Sequence, residues 1–148
     1  MRLWRISRFA DLAGDGGLHA SGRWHSRGRR VVYLAEHPAS ALLELLVRLE
    51  IDVEDFPTHF QLLEIDAPHG ITATAMDETS LPPDWRDQVS VTRARGDDWL
   101  RGGAAALLRV PSAIVPATSN YLLNPAHADA TRLSIVSVVS APFDRRLG

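Results

Sequence analysis

Runs with strand character outnumber helical ones along this chain, and no regular helical crossovers separate them. Neighbouring parallel strands need such crossovers, so a doubly wound sheet is disfavoured and an α+β fold with a mixed or antiparallel sheet is expected. Strands are expected over residues 2–6, over 31–35, over 59–66 around Phe60, Leu62 and Ile65, over 105–115 with a break at Pro111, and over 132–139. The glycine-rich stretch from Gly14 to Gly28 reads as a loop or irregular ribbon, and 66–84, rich in Pro, Thr, Asp and Gly, as a long surface loop. One helix is expected over 38–50, entered through Pro38 and carrying Leu42, Leu45, Leu46 and Leu49 at helical spacing. A second runs from a Thr92 cap through Leu100, weakened by Gly96.

No repeat, low-complexity tract or proline-rich linker divides the 148 residues, so residues 1–148 are expected to form a single compact domain. The formal charge of -2 supplies no global field for phosphate backbones, which argues against direct nucleic-acid binding. No apolar run is long enough for a signal peptide or a membrane span, and cysteine is absent. The expectation is a cytoplasmic protein with no membrane association and no thiol chemistry.

The chemistry-bearing candidates begin with Glu44, embedded in the apolar run from Ala41 to Val47. On a helix, Ser40, Glu44 and Arg48 share one narrow polar strip, which predicts a helix buried on most sides. That strip is either a solvated face closed by a Glu44–Arg48 pair or a carboxylate opened onto a cleft. Arg23 lies between Gly22 and Trp24, where its planar fork is suited to a phosphate or diphosphate; the alternative is a surface arginine beside a turn. All 16 basic residues are arginine, so any one of them is a weak pointer. Ser112, Asn120, Tyr121 and Asn124 taken alone read as turn and edge residues. The six histidines show no metal-ligand spacing, so no metal is expected. Neither a phosphate-cradling glycine motif nor a Gly-x-Ser-x-Gly elbow is present.

The order of short motifs is more specific than any one of them. It runs Leu3-Trp4-Arg5-Ile6, Ser21-Gly22-Arg23-Trp24, Val32-Tyr33, Leu43-Glu44, Val110-Pro111-Ser112-Ala113-Ile114, then Asn120-Tyr121-Leu122-Leu123-Asn124-Pro125. Gly96-Asp97, Trp99-Leu100 and a closing Phe143-Asp144 extend the series nearly end to end. This series resembles the RES domain, a family named for its Arg, Glu and Ser. The resemblance implies Arg23, Glu44 and Ser112 as the naming trio, with Tyr33 and Asn124 as substrate-binding neighbours. It also implies a fold similar to ADP-ribosyltransferase toxins and a cleft that takes NAD as substrate, with no cofactor. Members of the family are toxins that consume NAD by hydrolysis or phosphorolysis, with water or inorganic phosphate as co-substrate, or that transfer ADP-ribose to a protein. They are held inactive by an antitoxin, usually Xre-like with a helix-turn-helix domain, and self-association into a homo-oligomer fits the family. A departure from the family pattern is His25, where many members carry asparagine. From a different class, the same residues would suit a non-catalytic nucleotide- or partner-binding module.

Overall fold

A computed structural model of the chain describes residues 1–48 and 58–147. Seven strands form one mixed sheet in the order β4-β5-β6-β2-β1-β3-β7. The strands are β1 (Arg2–Ile6), β2 (Val32–Ala35), β3 (His59–Asp66), β4 (Ala73–Ala75), β5 (Leu107–Pro111), β6 (Ser119–Leu123) and β7 (Ser134–Pro142). Every pairing is antiparallel except β4 with β5. Among the described residues three helices accompany the sheet: a single turn α1 (Gly16–His19), α2 (Pro38–Arg48) and α3 (Val89–Gly102). The expected α+β class with a mixed sheet is what the chain adopts.

Alternation along the strands sorts the core into two apolar clusters, one on each face. Leu107 and Leu123 join Leu3, Val32, Leu34, Leu63 and Ile65 in the first. Leu108, Val110 and Leu122 join Trp24, Val31, Leu81 and Trp85 in the second, against which Tyr33 packs. Because side chains point alternately to opposite faces, Tyr33 and Asn120 belong with Leu122 on the second face. Trp24 and Trp85 meet at 5.9 Å in a tilted pair that anchors the glycine-rich segment there. Burying a leucine or valine fully is worth about 1.5–3 kcal/mol, so these two clusters hold the sheet rigid beneath the loops.

Several expectations need correction. Residues 66–84 are not all loop: Ala73–Ala75 add a parallel edge strand to β5, and 3-10 turns follow at Glu78–Ser80 and Trp85–Asp87. Asn120 and Tyr121, read as turn and edge residues, lie in β6 (Ser119–Leu123), an interior strand between β5 and β2. The strand expected over 105–115 is confined to Leu107–Pro111, and that over 132–139 begins at Ser134 after a 3-10 turn at Ala128–Arg132.

Helix α2 follows the expected segment to Arg48, while the rest of 38–50 lies outside the described residues. It is not buried on most sides: Ala41 is its one buried residue, and Leu43 and Val47 face solvent, because α2 lies against β1 and β2 with one flank only. Helix α3 starts a turn earlier than expected, and Thr92 does not cap it. Thr92 is fully buried inside the helix, where its hydroxyl donates to the carbonyl oxygen of Arg23 at 2.6 Å. Gly96 is explained by closeness rather than flexibility. A Cβ there would sit 1.6 Å from the Trp24 carbonyl oxygen, so only glycine lets the helix rest on that loop.

Candidate functional site

A cleft of about 700 Å³ opens between α2, the segment 20–25, the start of α3 and the ends of β5 and β6. That volume lies within the range of small-molecule sites. Arg23, Glu44, Tyr33, His25, Arg93 and Asn120 all line it.

The carboxylate wall is assembled from three elements. Helix α2 presents half-buried Glu44, whose Oε1 accepts from Ser112 Oγ at 3.2 Å and from Asn120 Nδ2 at 2.8 Å. Ser112, just beyond β5, is buried, and its oxygen accepts the backbone N–H groups of Ile114 and Val115 at 3.1 and 3.2 Å. The serine hydroxyl thus has its donor aimed at the carboxylate and its lone pairs occupied. Glu44 has no ion pair with Arg48 among the described residues, so the polar strip of α2 serves the cleft and not an i,i+4 pair. The Asn120 amide orientation follows from chemistry, since only its nitrogen can donate to a carboxylate. Its Oδ1 is consequently turned away, shielded and without a hydrogen-bond partner among the described residues.

The opposite wall is built by the glycine-rich segment. Half-buried Arg23 spends one donor, Nη1, on the carbonyl oxygen of Arg86 at 2.7 Å. Its backbone is held by Thr92, and Arg93 Nε donates to the Gly22 carbonyl at 2.8 Å. Tyr33 Oη accepts the Trp24 N–H at 3.0 Å and bonds His25 Nδ1 at 2.8 Å. Burial raises the Tyr33 pKa strongly, so its phenol stays neutral. Asp97 on α3 ties the loop down by accepting the Ser26 N–H at 2.9 Å and facing Arg29 Nε at 3.4 Å. Burial pushes the Asp97 carboxyl upward, but the Ser26 bonds and the charges of Arg29 and His25 outweigh it and leave the pKa lowered.

Among the described residues the cleft therefore gathers four arginines, Arg5, Arg23, Arg48 and Arg93, against one carboxylate, Glu44. Such a surplus suits an anionic ligand, although the chain as a whole is slightly acidic. A smaller cavity of about 270 Å³ shares Pro111 with the cleft, but Glu78 in its wall is paired with Arg86.

Of the residues proposed from the sequence, the structure brings Arg23, Tyr33 and Glu44 to the cleft and sets Ser112 behind Glu44. It does not bring Asn124 there. Asn124 is buried at the far end of β6, its Nδ2 donating to the Leu100 carbonyl at 3.1 Å and its Oδ1 accepting the Ala126 N–H at 3.1 Å. Its nitrogen fastens α3 to the end of β6, and its oxygen closes the turn that follows. Asn120, read as a turn residue, takes the place expected of it, and Arg93 was missed. A strand reading of 119–123 would have put Asn120 on the Leu122 face and signalled a polar side chain among apolar neighbours.

The RES domain family model matches residues 2–144. Among curated relatives, a protein of Pseudomonas putida named Toxin Res is 51% identical over 135 residues, covering 91% of this chain and 92% of its own length. A protein of Sphingobium named Prs ADP-ribosylating toxin is 36% identical, covering 97% of this chain and 94% of its own. A solved structure, the Mycobacterium tuberculosis MbcT-MbcA toxin–antitoxin complex, contains a chain that superposes with a TM-score of 0.70 at 16% identity, covering 99% of this chain and 85% of that one. At that identity the likeness speaks for the fold.

Proposed function

The chain belongs to the RES domain family, and on that premise we propose that it is the toxin of a toxin–antitoxin pair and cleaves the nicotinamide–ribose bond of NAD. The observation that carries this reading is the pairing of one braced carboxylate with a surplus of arginine in a single cleft. A dinucleotide offers a diphosphate to the arginines and a reacting ribose to the carboxylate.

In this mechanism the remaining donors of Arg23, with Arg93 beside it, hold the diphosphate. Tyr33 gives its ring face to the nicotinamide. The bond between ribose C1′ and the pyridinium nitrogen breaks with its electron pair going to nitrogen, so nicotinamide leaves neutral and needs no general acid. Positive charge grows on the ribose as it does in glycoside cleavage, and Glu44 stabilises it. Water then bonds C1′ through its oxygen and passes a proton to solvent, or inorganic phosphate bonds C1′ through an ionised oxygen with no proton to lose. Ser112 and the Asn120 amide nitrogen hold Glu44 in orientation. No metal or cofactor takes part. The proposed partner is an Xre-like helix-turn-helix antitoxin, and the proposed place of action is the cytoplasm. Among the described residues no helix is long and apolar enough to cross a membrane.

The printed name of the Sphingobium relative favours a second reading, in which a protein side chain replaces water or phosphate as acceptor. Incubating the purified chain with NAD, with and without phosphate and cell extract, separates them by product: ADP-ribose, ADP-ribose phosphate or labelled protein. Unchanged NAD under all conditions would sink both.

A further inference from the structure

The Tyr33 hydroxyl is wholly engaged within the protein, by Trp24 and His25. His25 is buried, with its imidazole Nε2 3.3 Å from the Gly17 carbonyl and its Nδ1 2.8 Å from Tyr33 Oη. A carbonyl can only accept, so Nε2 carries the hydrogen of the neutral ring and Nδ1 is left as an acceptor. The Tyr33 hydrogen therefore points to His25, while the Trp24 N–H fills the other side of the oxygen. Two glycines make room for the couple. A Cβ on Gly22 would stand 2.4 Å from Tyr33 Oη and 3.0 Å from His25 Nδ1, and one on Gly17 would stand 2.3 Å from the Arg29 carbonyl and 3.2 Å from His25 Nε2.

We propose that His25 is a positioning residue for Tyr33: the neutral imidazole takes the hydroxyl hydrogen, leaving an apolar ring face for nicotinamide, and a protonated imidazole reverses the bond and repels the ligand. Protonated Nδ1 can only donate, so Tyr33 would receive two N–H groups and turn its own hydrogen elsewhere. A positive charge would then stand behind the ring that meets a pyridinium cation. The groups facing this couple are the Gly17 carbonyl and Ala20 backbone, Asp97 and Arg93 from α3, and Arg48 from α2. Burial lowers the His25 pKa, with the Gly17 and Ala20 backbone and Asp97 opposing and Arg93 reinforcing. The neutral form thus prevails at neutral pH, and the native state loses stability as pH falls below the ordinary histidine value of about 6.5.

The inference rests on NAD as ligand, and two measurements keep it separable from that reading. Nitrogen NMR of the imidazole should show the Nε2–H tautomer, and KM and kcat for NAD are followed across the pH range in which that ring titrates. The wild type should show KM rising about fivefold on protonation, with a smaller change in kcat. His25→Asn keeps an acceptor near the Nδ1 position without a titrating proton, so its KM should stay within about threefold of wild type at neutral pH and lose the pH dependence. His25→Ala should raise KM about fivefold at every pH. An Nδ1–H ring, a KM indifferent to the titration, or a normal KM in His25→Ala overturns the proposal. A wild type that consumes no NAD removes the NAD reading and the ligand step with it, while the tautomer still decides the His25–Tyr33 couple.

Discussion

The two walls of the cleft are polar in opposite ways. On the carboxylate wall a charge is held by two hydrogen bonds and hydrogen-bonding capacity is left over, in the second oxygen of Glu44 and in the unpartnered Asn120 Oδ1. On the tyrosine wall nearly every polar atom is already spent inside the protein, on Trp24, His25, Gly17 and Asp97, and the spare donors belong to the Arg23 guanidinium. An unfilled acceptor in a shielded place costs stability, a cost accepted here so that the amide nitrogen can hold Glu44. The first wall is built to respond to a changing ligand charge and the second to stay still.

The largest expected effect breaks the first wall alone. Glu44→Gln keeps shape and most hydrogen bonding but removes the charge, and should lower kcat by about a hundredfold or more with KM little changed. A folded variant with normal turnover would make the two walls equivalent and remove the mechanism. Next, Arg23→Ala touches the second wall, where binding is made equally in substrate and transition state. It should raise KM about tenfold with a smaller loss of kcat, and a reversed pattern would exchange the roles of the walls. The smallest effect sharpens the boundary of the site along one strand. Asn120→Ala should cost about tenfold in kcat by loosening Glu44. Asn124→Ala should instead destabilise the fold by about 1–3 kcal/mol, by stranding the Leu100 carbonyl and the Ala126 N–H, with turnover per folded molecule preserved. Thermal melts read beside the kinetics distinguish the two.

These asparagines also show where the sequence was legible. β1 and β3 were read to the residue because apolar periodicity reports strands whose buried side chains are apolar. β6 was missed because Ser119, Asn120 and Tyr121 carry turn-forming chemistry, and they occupy a strand that has to present polar groups to a cleft. The same conflict hid the extent of α3, whose glycine is a packing requirement. The local excess of arginine was invisible in a chain of charge -2, because Arg5, Arg23, Arg48 and Arg93 come together only when β1, the loop, α2 and α3 are folded. The ordered motifs pointed to Arg23, Tyr33 and Glu44, which line the cleft, but also to Asn124, for want of the register that sets it four residues beyond Asn120.

Gly96 stands outside the cleft, yet helix α3 lies on the Trp24 backbone there with no space for a methyl group. The consequence is genetic. Cells forced to express a lethal protein survive by mutating it, and every codon change that replaces a glycine installs a side chain. Escape alleles should therefore accumulate at Gly96 beside those at Glu44, and they would be silent about catalysis, recording only that the loop carrying Arg23 had lost its seat.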